Sequence, residues 1–202
     1  MNVIFFIRCF KSTNLPRIQQ NIRDVFRGSR HKYKIAILFD ATHNNKQPIP
    51  YNVFNIDTSL FICTEKDEKD VYLTAFMDYV LEHYTPWGVK NCYVYVHDDD
   101  NLIMPEFLTV LDETTDEHAV VFKVKNRPEL GNADIEPGKA VGKIDWANYI
   151  VRLDFMKTHH IHHKMLDGHD SDGHFFNNLL TLGANIKYID RVCGLYNALQ
   201  KP

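Results

Sequence analysis

Apolar and polar positions alternate along the chain in a way that predicts strand, helix, strand at the outset. Val3–Cys9 is an apolar run of strand length, interrupted only by Arg8. Leu15, Ile18, Ile22 and Phe26 then recur at helical spacing, with Asn14 as N-cap and Gly28 as the stop. Tyr33–Phe39 is a second buried strand that ends at Asp40. Two apolar strands joined by an amphipathic helix predict the start of a parallel α/β sheet.

The remaining pattern extends that architecture. Residues 42–52 are rich in Asn and Pro and read as a loop, and "FNIDTSLFIC" fits either a strand or an irregular segment. An amphipathic helix is expected over Glu68–Tyr84, ended by "TPWG", and Cys92–Val96 is a third strand. Pro105 suits a helix start, followed by Phe107–Leu111, and Ala119–Lys125 alternates as a strand. Residues 126–143 carry Pro and Gly with little apolar pattern, the composition of a functional loop. Ala147–Leu153 is strand-like and Asp154–Met165 reads as a histidine-rich helix. Ser171 caps a helix to Leu182, with Phe175, Leu179 and Leu182 on one face and Gly183 as its C′ residue. Asn185–Ile189 is the last strand, and "CGLYNAL" closes the chain.

Composition narrows the class. A chain of 202 residues suits one domain, and its apolar and charged fractions are those of a globular protein. The formal net charge of −3 provides no basic footprint and argues against a nucleic-acid binder. Cys9, Cys63, Cys92 and Cys193 form no C-x-x-C pair and read as buried, reduced thiols of a cytoplasmic protein. "MNVIFFIRCF" is too short to span a membrane and lacks a basic n-region and a cleavage site. No other segment reaches membrane length, so any membrane contact is expected to be peripheral.

The chemistry concentrates in "YVYVHDDDNLIMPEFL", residues 93–108, where an apolar strand runs into three aspartates. Two carboxylates ~5 Å apart repel by ~3 kcal/mol at an effective dielectric of 20, so solvent, a basic neighbour or a cation should offset them. If the strand continues through the aspartates, its period of two puts Asp98 and Asp100 on one side and Asp99 on the other. Two convergent carboxylates at a strand's carboxyl end suit Mg²⁺, which takes its other ligands from phosphate. A solvated turn is the plainer alternative. An EF-hand is excluded, because the sixth-position glycine and twelfth-position glutamate are missing.

An aspartate-rich turn after a strand, followed by "LIMPEFL", resembles the DxD segment of GT-A glycosyltransferases of the family 2 type. The order of the other segments resembles that family too: "VIFFIRCFKSTNLPRIQQNI" its first strand and helix, "KIAILFDATHNN" its second strand, "GKIDWANYIVRLDFM" the acceptor-side segment. "DSDGHFFNNLLTLGANIKYID" resembles the segment with the catalytic carboxylate, and "GLYNAL" a frequent ending. The resemblance implies a single GT-A (Rossmann-like) α/β domain over residues 1–202, with a mostly parallel central sheet flanked by helices. Residues 1–100 would be its nucleotide-binding half and 101–202 its acceptor and catalytic half.

It further implies Mn²⁺ or Mg²⁺ on Asp98 and Asp100, with Asp98 also near the donor ribose and Asp99 toward the donor sugar. Asp40 corresponds to the aspartate that contacts the donor base or ribose, and Arg8 lies near the strand end that abuts the nucleotide. Asp172 corresponds to the catalytic base of inverting members, with Asp170 as the alternative, since "DSD" stands where the family has two adjacent acids. His174 is the candidate third metal ligand, with His169 behind it. Asp145 and Trp146 are candidate sugar or acceptor contacts; a core role for the indole is the other reading. The implied partners are a UDP- or GDP-linked nucleotide-diphosphate sugar and a glycan or glycoconjugate acceptor.

"THHIHHKMLDGHDSDGH" supplies the rival chemistry, with His159, His160, His162, His163, His169 and His174. His159 and His163 would share a helix face as an i,i+4 pair suited to zinc. The run also resembles the histidine motif of metallo-β-lactamase-type hydrolases, but Lys164 stands where an aspartate is required. A solvated helix face and a non-catalytic nucleotide-sugar-binding module complete the alternatives.

Overall fold

The computed structural model describes residues 1–9, 12–40, 58–63, 91–126, 137–138, 143–161 and 171–199, the backbone alone at 12, 38–40, 58–63 and 171. The strands are β1 (Asn2–Cys9), β2 (Lys32–Asp40), β3 (Thr58–Cys63), β4 (Cys92–Asp98), β5 (Leu102–Ile103), β6 (Ala119–Asn126), β7 (Tyr149–Arg152) and β8 (Ile186–Tyr196). The helices are α1 (Leu15–Phe26), α2 (Glu106–Glu113), α3 (Leu153–His159) and α4 (Ser171–Thr181). The eight strands form one sheet in the order β3-β2-β1-β4-β7-β6-β8-β5. β3, β2, β1 and β4 are mutually parallel, β7 runs against both β4 and β6, β6 and β8 are parallel, and β5 runs against β8.

The apolar runs of β1 and β4 are buried on both faces, as expected of strands inside a parallel sheet. Val3, Phe5, Ile7 and Cys9 face one side, where α1 contributes Leu15, Ile18, Ile22 and Phe26 and α2 contributes Phe107, Val110 and Leu111. Ile4 and Phe6 face the other, with Val94, Val96, Trp146, Tyr149, Met156 and the α4 residues Phe175, Phe176 and Leu179. Full burial of a Phe or Leu contributes roughly 1.5–3 kcal/mol, so these two layers anchor the β1 and β4 ends between packed helices.

Several expectations shift. Asn14 is helical, with φ −84° and ψ −24°, and makes no side-chain cap bond, because a 3-10 turn over Ser12–Asn14 leads into α1. Gly28 does end the helix region in the left-handed conformation, at φ +74°. Of the ambiguous segment, residues 58–63 form β3, whose backbone pairs with β2, and 54–57 lie outside the described residues. β4 stops at Asp98, and Asp99 and Asp100 form a turn, so the strand period does not extend through the aspartates. The histidine-rich helix ends at His159, where His160 adopts φ +47° and ψ +45°. Leu182 lies outside the core, 41% exposed, and Phe176 takes the place beside Phe175 and Leu179. The last strand runs to Tyr196 rather than Ile189, which brings "GLY" of the closing motif into the sheet.

Cys9, Cys92 and Cys193 are buried and form no disulfide among the described residues. Among the described residues no helix is long and apolar enough to cross a membrane. The loop expected at 42–52, the helix at Glu68–Tyr84 and nearly all of the 126–143 loop lie outside the described residues.

Candidate active site

β1 and β4 are adjacent and parallel, yet the chain leaves β1 through α1 to β2 on its opposite side. This is a topological switch point, and open α/β sheets bind ligands outside the carboxyl ends of strands at such a place. Arg8 and Asp98 are register partners there. Arg8 Nε donates to Asp98 Oδ1 at 2.7 Å, and Nη2 lies 2.7 Å from the same oxygen. The two side chains are 22% and 18% exposed, so the pair is partly withdrawn from solvent screening.

The turn after Asp98 is clamped from three directions. The Asp98 carbonyl accepts from Asn101 N–H at 3.2 Å and from His97 Nδ1–H at 2.8 Å. The Asn21 amide of α1 brackets Ile103, donating to its carbonyl at 3.0 Å and accepting its N–H at 2.9 Å. The residues after β8 close the other side: Leu199 N–H donates to the Asp100 carbonyl at 2.9 Å, and Asn197 N–H to Asn101 Oδ1 at 2.9 Å. Gly194 permits this approach, since a Cβ there would lie 3.3 Å from Leu102 O and 3.3 Å from Val124 Cγ1. His97 is fully enclosed, and burial pushes its pKa down to about 4, so the ring is neutral and donates through Nδ1.

Asp145 and Asp172 join Arg8 and Asp98 electrostatically. Asp145 opens the 3-10 turn Trp146–Asn148 through a reciprocal cap: Ala147 N–H donates to its Oδ1 at 2.8 Å, and its own N–H donates to Asn148 Oδ1 at 3.1 Å. Burial raises the Asp145 pKa to about 6; the Ala147 bond opposes the rise, the negative charges of Asp98 and Asp172 add to it, and Arg8 offsets part of it. Burial works against the Arg8 charge, but Asp98 first, then Asp145 and Asp172, hold it in the charged form. Asp172 lies in the first turn of α4, its carbonyl accepting the Tyr149 hydroxyl at 3.2 Å and its Oδ1 accepting Gly173 N–H at 2.7 Å. Tyr196, raised in pKa by burial and then by Asp145, Asp98 and Asp100, stands at the same edge.

No protein-family model matches the chain, and no curated protein matches it in sequence. Solved structures do. The S. aureus TarS 1–349 structure superposes with a TM-score of 0.61 at 12% identity, over 96% of this chain and 60% of that one. HddC from Yersinia pseudotuberculosis, complexed with GMP-PN, gives 0.54 at 12% identity over 98% and 94%. The 4-diphosphocytidyl-2C-methyl-D-erythritol synthase of Anaerococcus prevotii gives 0.56 at 10% over 98% and 89%. The fold is of the GT-A type. The chain thus spans about three-fifths of the TarS chain and nearly the full length of the other two.

Within this GT-A sheet, Arg8, Asp98, Asp145 and Asp172 are the expected site residues that come within electrostatic reach of one another. Asp40 ends β2 opposite Cys63, at the same edge of the sheet. Asp98 and Asp100 are half-buried, and Asp99, expected to be the outlier, is the most enclosed of the three at 4% exposure. The reason is the turn: once the strand ends at Asp98, side-chain direction follows the 98–101 bend rather than the pleat. His174 is exposed and two helical positions from Asp172, a spacing at which side chains do not share a face. Trp146 is 5% exposed, packed on Phe175 at 4.6 Å and Tyr149 at 5.5 Å, so its ring faces belong to the core. His159 packs its ring on Phe155, 4.3 Å away, while His162, His163, His169 and Asp170 lie outside the described residues.

His97, Tyr149, Asn21 and the Tyr196–Leu199 segment escaped the sequence reading. Only His97, adjoining the aspartates, and the "GLYNAL" ending carried any signal for it.

The GT-A resemblance implies a divalent cation. Among the described residues no group of three or more His, Cys, Asp or Glu side chains converges to hold one. A Mg²⁺-type ion, however, takes only one or two carboxylates and completes its shell with water and phosphate oxygens. Arg8 engages Oδ1 of Asp98 alone, and Asp100 lies on the same tight turn. Three carboxylates around one guanidinium also leave an excess of negative charge. Asp98 and Asp100 could hold such an ion with further ligands from outside the protein, not as an all-protein cage.

Proposed function

We propose that this protein transfers a sugar from a UDP- or GDP-linked nucleotide-diphosphate sugar to a hydroxyl of a glycan or glycoconjugate, with inversion at the anomeric carbon. The observation that carries the reading is the gathering of Asp98, Asp145 and Asp172 around Arg8 at the carboxyl ends of β1 and β4. In this scheme Asp40 meets the base or ribose, and Asp98 and Asp100 hold Mn²⁺ or Mg²⁺. When bound, that ion offsets the negative charge that develops on the leaving diphosphate.

Asp172 takes the proton of the acceptor hydroxyl as the acceptor oxygen bonds to the anomeric carbon and the diphosphate oxygen departs. Its place in the first turn of α4 favours the ionised form through the helix dipole. Asp145, on the acceptor side, orients a sugar hydroxyl. Asp172→Asn should retain nucleotide-sugar affinity and lose transfer by about 10²-fold or more. Unchanged transfer would remove Asp172 from the role of base.

Nucleotidyl transfer is the second reading, favoured by how fully the chain covers HddC and the synthase, whose name records a diphosphocytidyl product. The products separate the two: sugar transfer releases a nucleoside diphosphate, and nucleotidyl transfer releases pyrophosphate.

A further inference from the structure

Arg8 is an anomaly in its strand. Its neighbours Ile7 and Cys9 are 0% and 1% exposed, and withdrawing a guanidinium from water among such residues is costly unless it is paired. The partner is the one carboxylate that the turn offers at the same register level, Asp98. Two nitrogens of Arg8 converge on one oxygen of that carboxylate, and Asp145 and Asp172 act on the same guanidinium from the acceptor side. Arg8 also offsets part of the charge on Asp145. The Arg8 guanidinium thus balances charge on the aspartate turn.

We propose that Arg8 is a tethered counter-ion for the Asp98 carboxylate, which holds the aspartate turn together without metal and which a divalent cation must displace or repel to bind. The inference rests on the proposed role of Asp98 as a cation ligand. It goes beyond it in assigning Arg8 to the cation equilibrium rather than to the nucleotide. The electrostatics make it quantitative. A divalent ion and a guanidinium ~5 Å apart repel enough, even at the dielectric of bulk water, to lower affinity about tenfold. The lower dielectric of a part-buried pair enlarges that factor. A role in packing alone carries the opposite sign, since a loosened turn would bind the ion more weakly.

The test compares the intact wild-type chain with Arg8→Gln and Arg8→Lys. Mn²⁺ affinity is read by calorimetry or by the paramagnetic signal of the free ion, and thermal stability is read with and without Mn²⁺. Arg8→Gln should lose stability in chelator, regain it in Mn²⁺, and bind Mn²⁺ at least tenfold more tightly than wild type. Arg8→Lys, which keeps the charge, should bind Mn²⁺ as wild type does. Equal or weaker Mn²⁺ binding by Arg8→Gln overturns the inference, as does a variant that stays unfolded in Mn²⁺. A separate arm measures UDP and GDP binding at saturating Mn²⁺. If neither nucleotide binds the wild type there, the nucleotide-sugar reading fails, whatever the Arg8 variants do with the ion.

Discussion

Replacing Asp145 with Asn should stabilise the protein above neutral pH and not well below pH 3.8. The Asp145 carboxyl ordinarily titrates at 3.8 and is raised to about 6 in the fold, chiefly by burial. A native state that holds a proton more tightly than the unfolded chain loses stability as pH rises through the interval between those values. The full displacement corresponds to ~3 kcal/mol, so ionised Asp145 penalises the fold by up to that amount at pH 7 and above. Well below pH 3.8 both states are protonated and the penalty is absent. Asn resembles the protonated acid and keeps the Ala147 N–H bond of the cap, since Asn and Asp serve equally well there. Denaturant unfolding of wild type and Asp145→Asn at pH 4, 6 and 8 measures the difference. It should grow from ~0.5 kcal/mol at pH 4 to ~2–3 kcal/mol at pH 8 in favour of the variant. Near neutral pH that is a rise in melting temperature of roughly 2–4 °C per kcal/mol for a domain of this size. His97 titrates in the opposite sense, its depressed pKa lowering stability as pH falls through its range, but it is common to both proteins and cancels. A difference that does not vary with pH, or a variant less stable at pH 8, refutes the reasoning. A gain in stability joined to a loss of activity would mark Asp145 as kept for function at the expense of the fold.

Other outcomes follow from the same contacts. Asp100→Ala should abolish Mn²⁺-dependent strengthening of nucleotide-sugar binding, measured by calorimetry with and without chelator; an unchanged Mn²⁺ effect would take the ion away from the turn. Asn21→Ala leaves the N–H and carbonyl of buried Ile103 without their partner and should cost ~1–3 kcal/mol per group by chemical denaturation. Asn21→Asp restores only the acceptor, so it should recover no more than the part due to the Ile103 N–H. Gly194→Ala puts a methyl 3.3 Å from Leu102 O and should destabilise by ~1–3 kcal/mol while weakening nucleotide binding, because Leu102 opens β5 directly after the aspartate turn. Wild-type affinity and stability in that variant would show that the turn tolerates displacement.

The sequence was most readable where the signal was local. Val3–Cys9, Ile35–Ile37 and Cys92–Val96 are apolar because both faces of their strands are covered, and Leu15, Ile18, Ile22 and Phe26 mark the one face by which α1 docks. Non-local pairing hid the rest. β5 has only two residues and exists because Asn21 and β8 hold it, neither of which is near it in sequence. β8 continues past its apolar start through exposed Asp190 and half-buried Arg191, where its register against β6 shifts, and it pairs with β6 again from Val192 to Tyr196, an extension that no hydrophobic pattern marks. His160 ends α3 by adopting a left-handed backbone conformation that its composition does not announce. The aspartates illustrate the limit best. Their presence at a strand's end was visible, but the partner of Asp98 lies ninety residues away and depends on the register of β1 against β4.

The central claim is most directly tested by identifying what the protein releases from UDP- and GDP-sugars in Mn²⁺ with glycan acceptors. Chromatography of the nucleotide products, with mass analysis of the acceptor, reads both halves of the reaction. The account predicts nucleoside diphosphate in step with a glycosylated acceptor, and neither from Asp172→Asn. Pyrophosphate as the product, or nucleoside diphosphate released at the wild-type rate by Asp172→Asn, would contradict it.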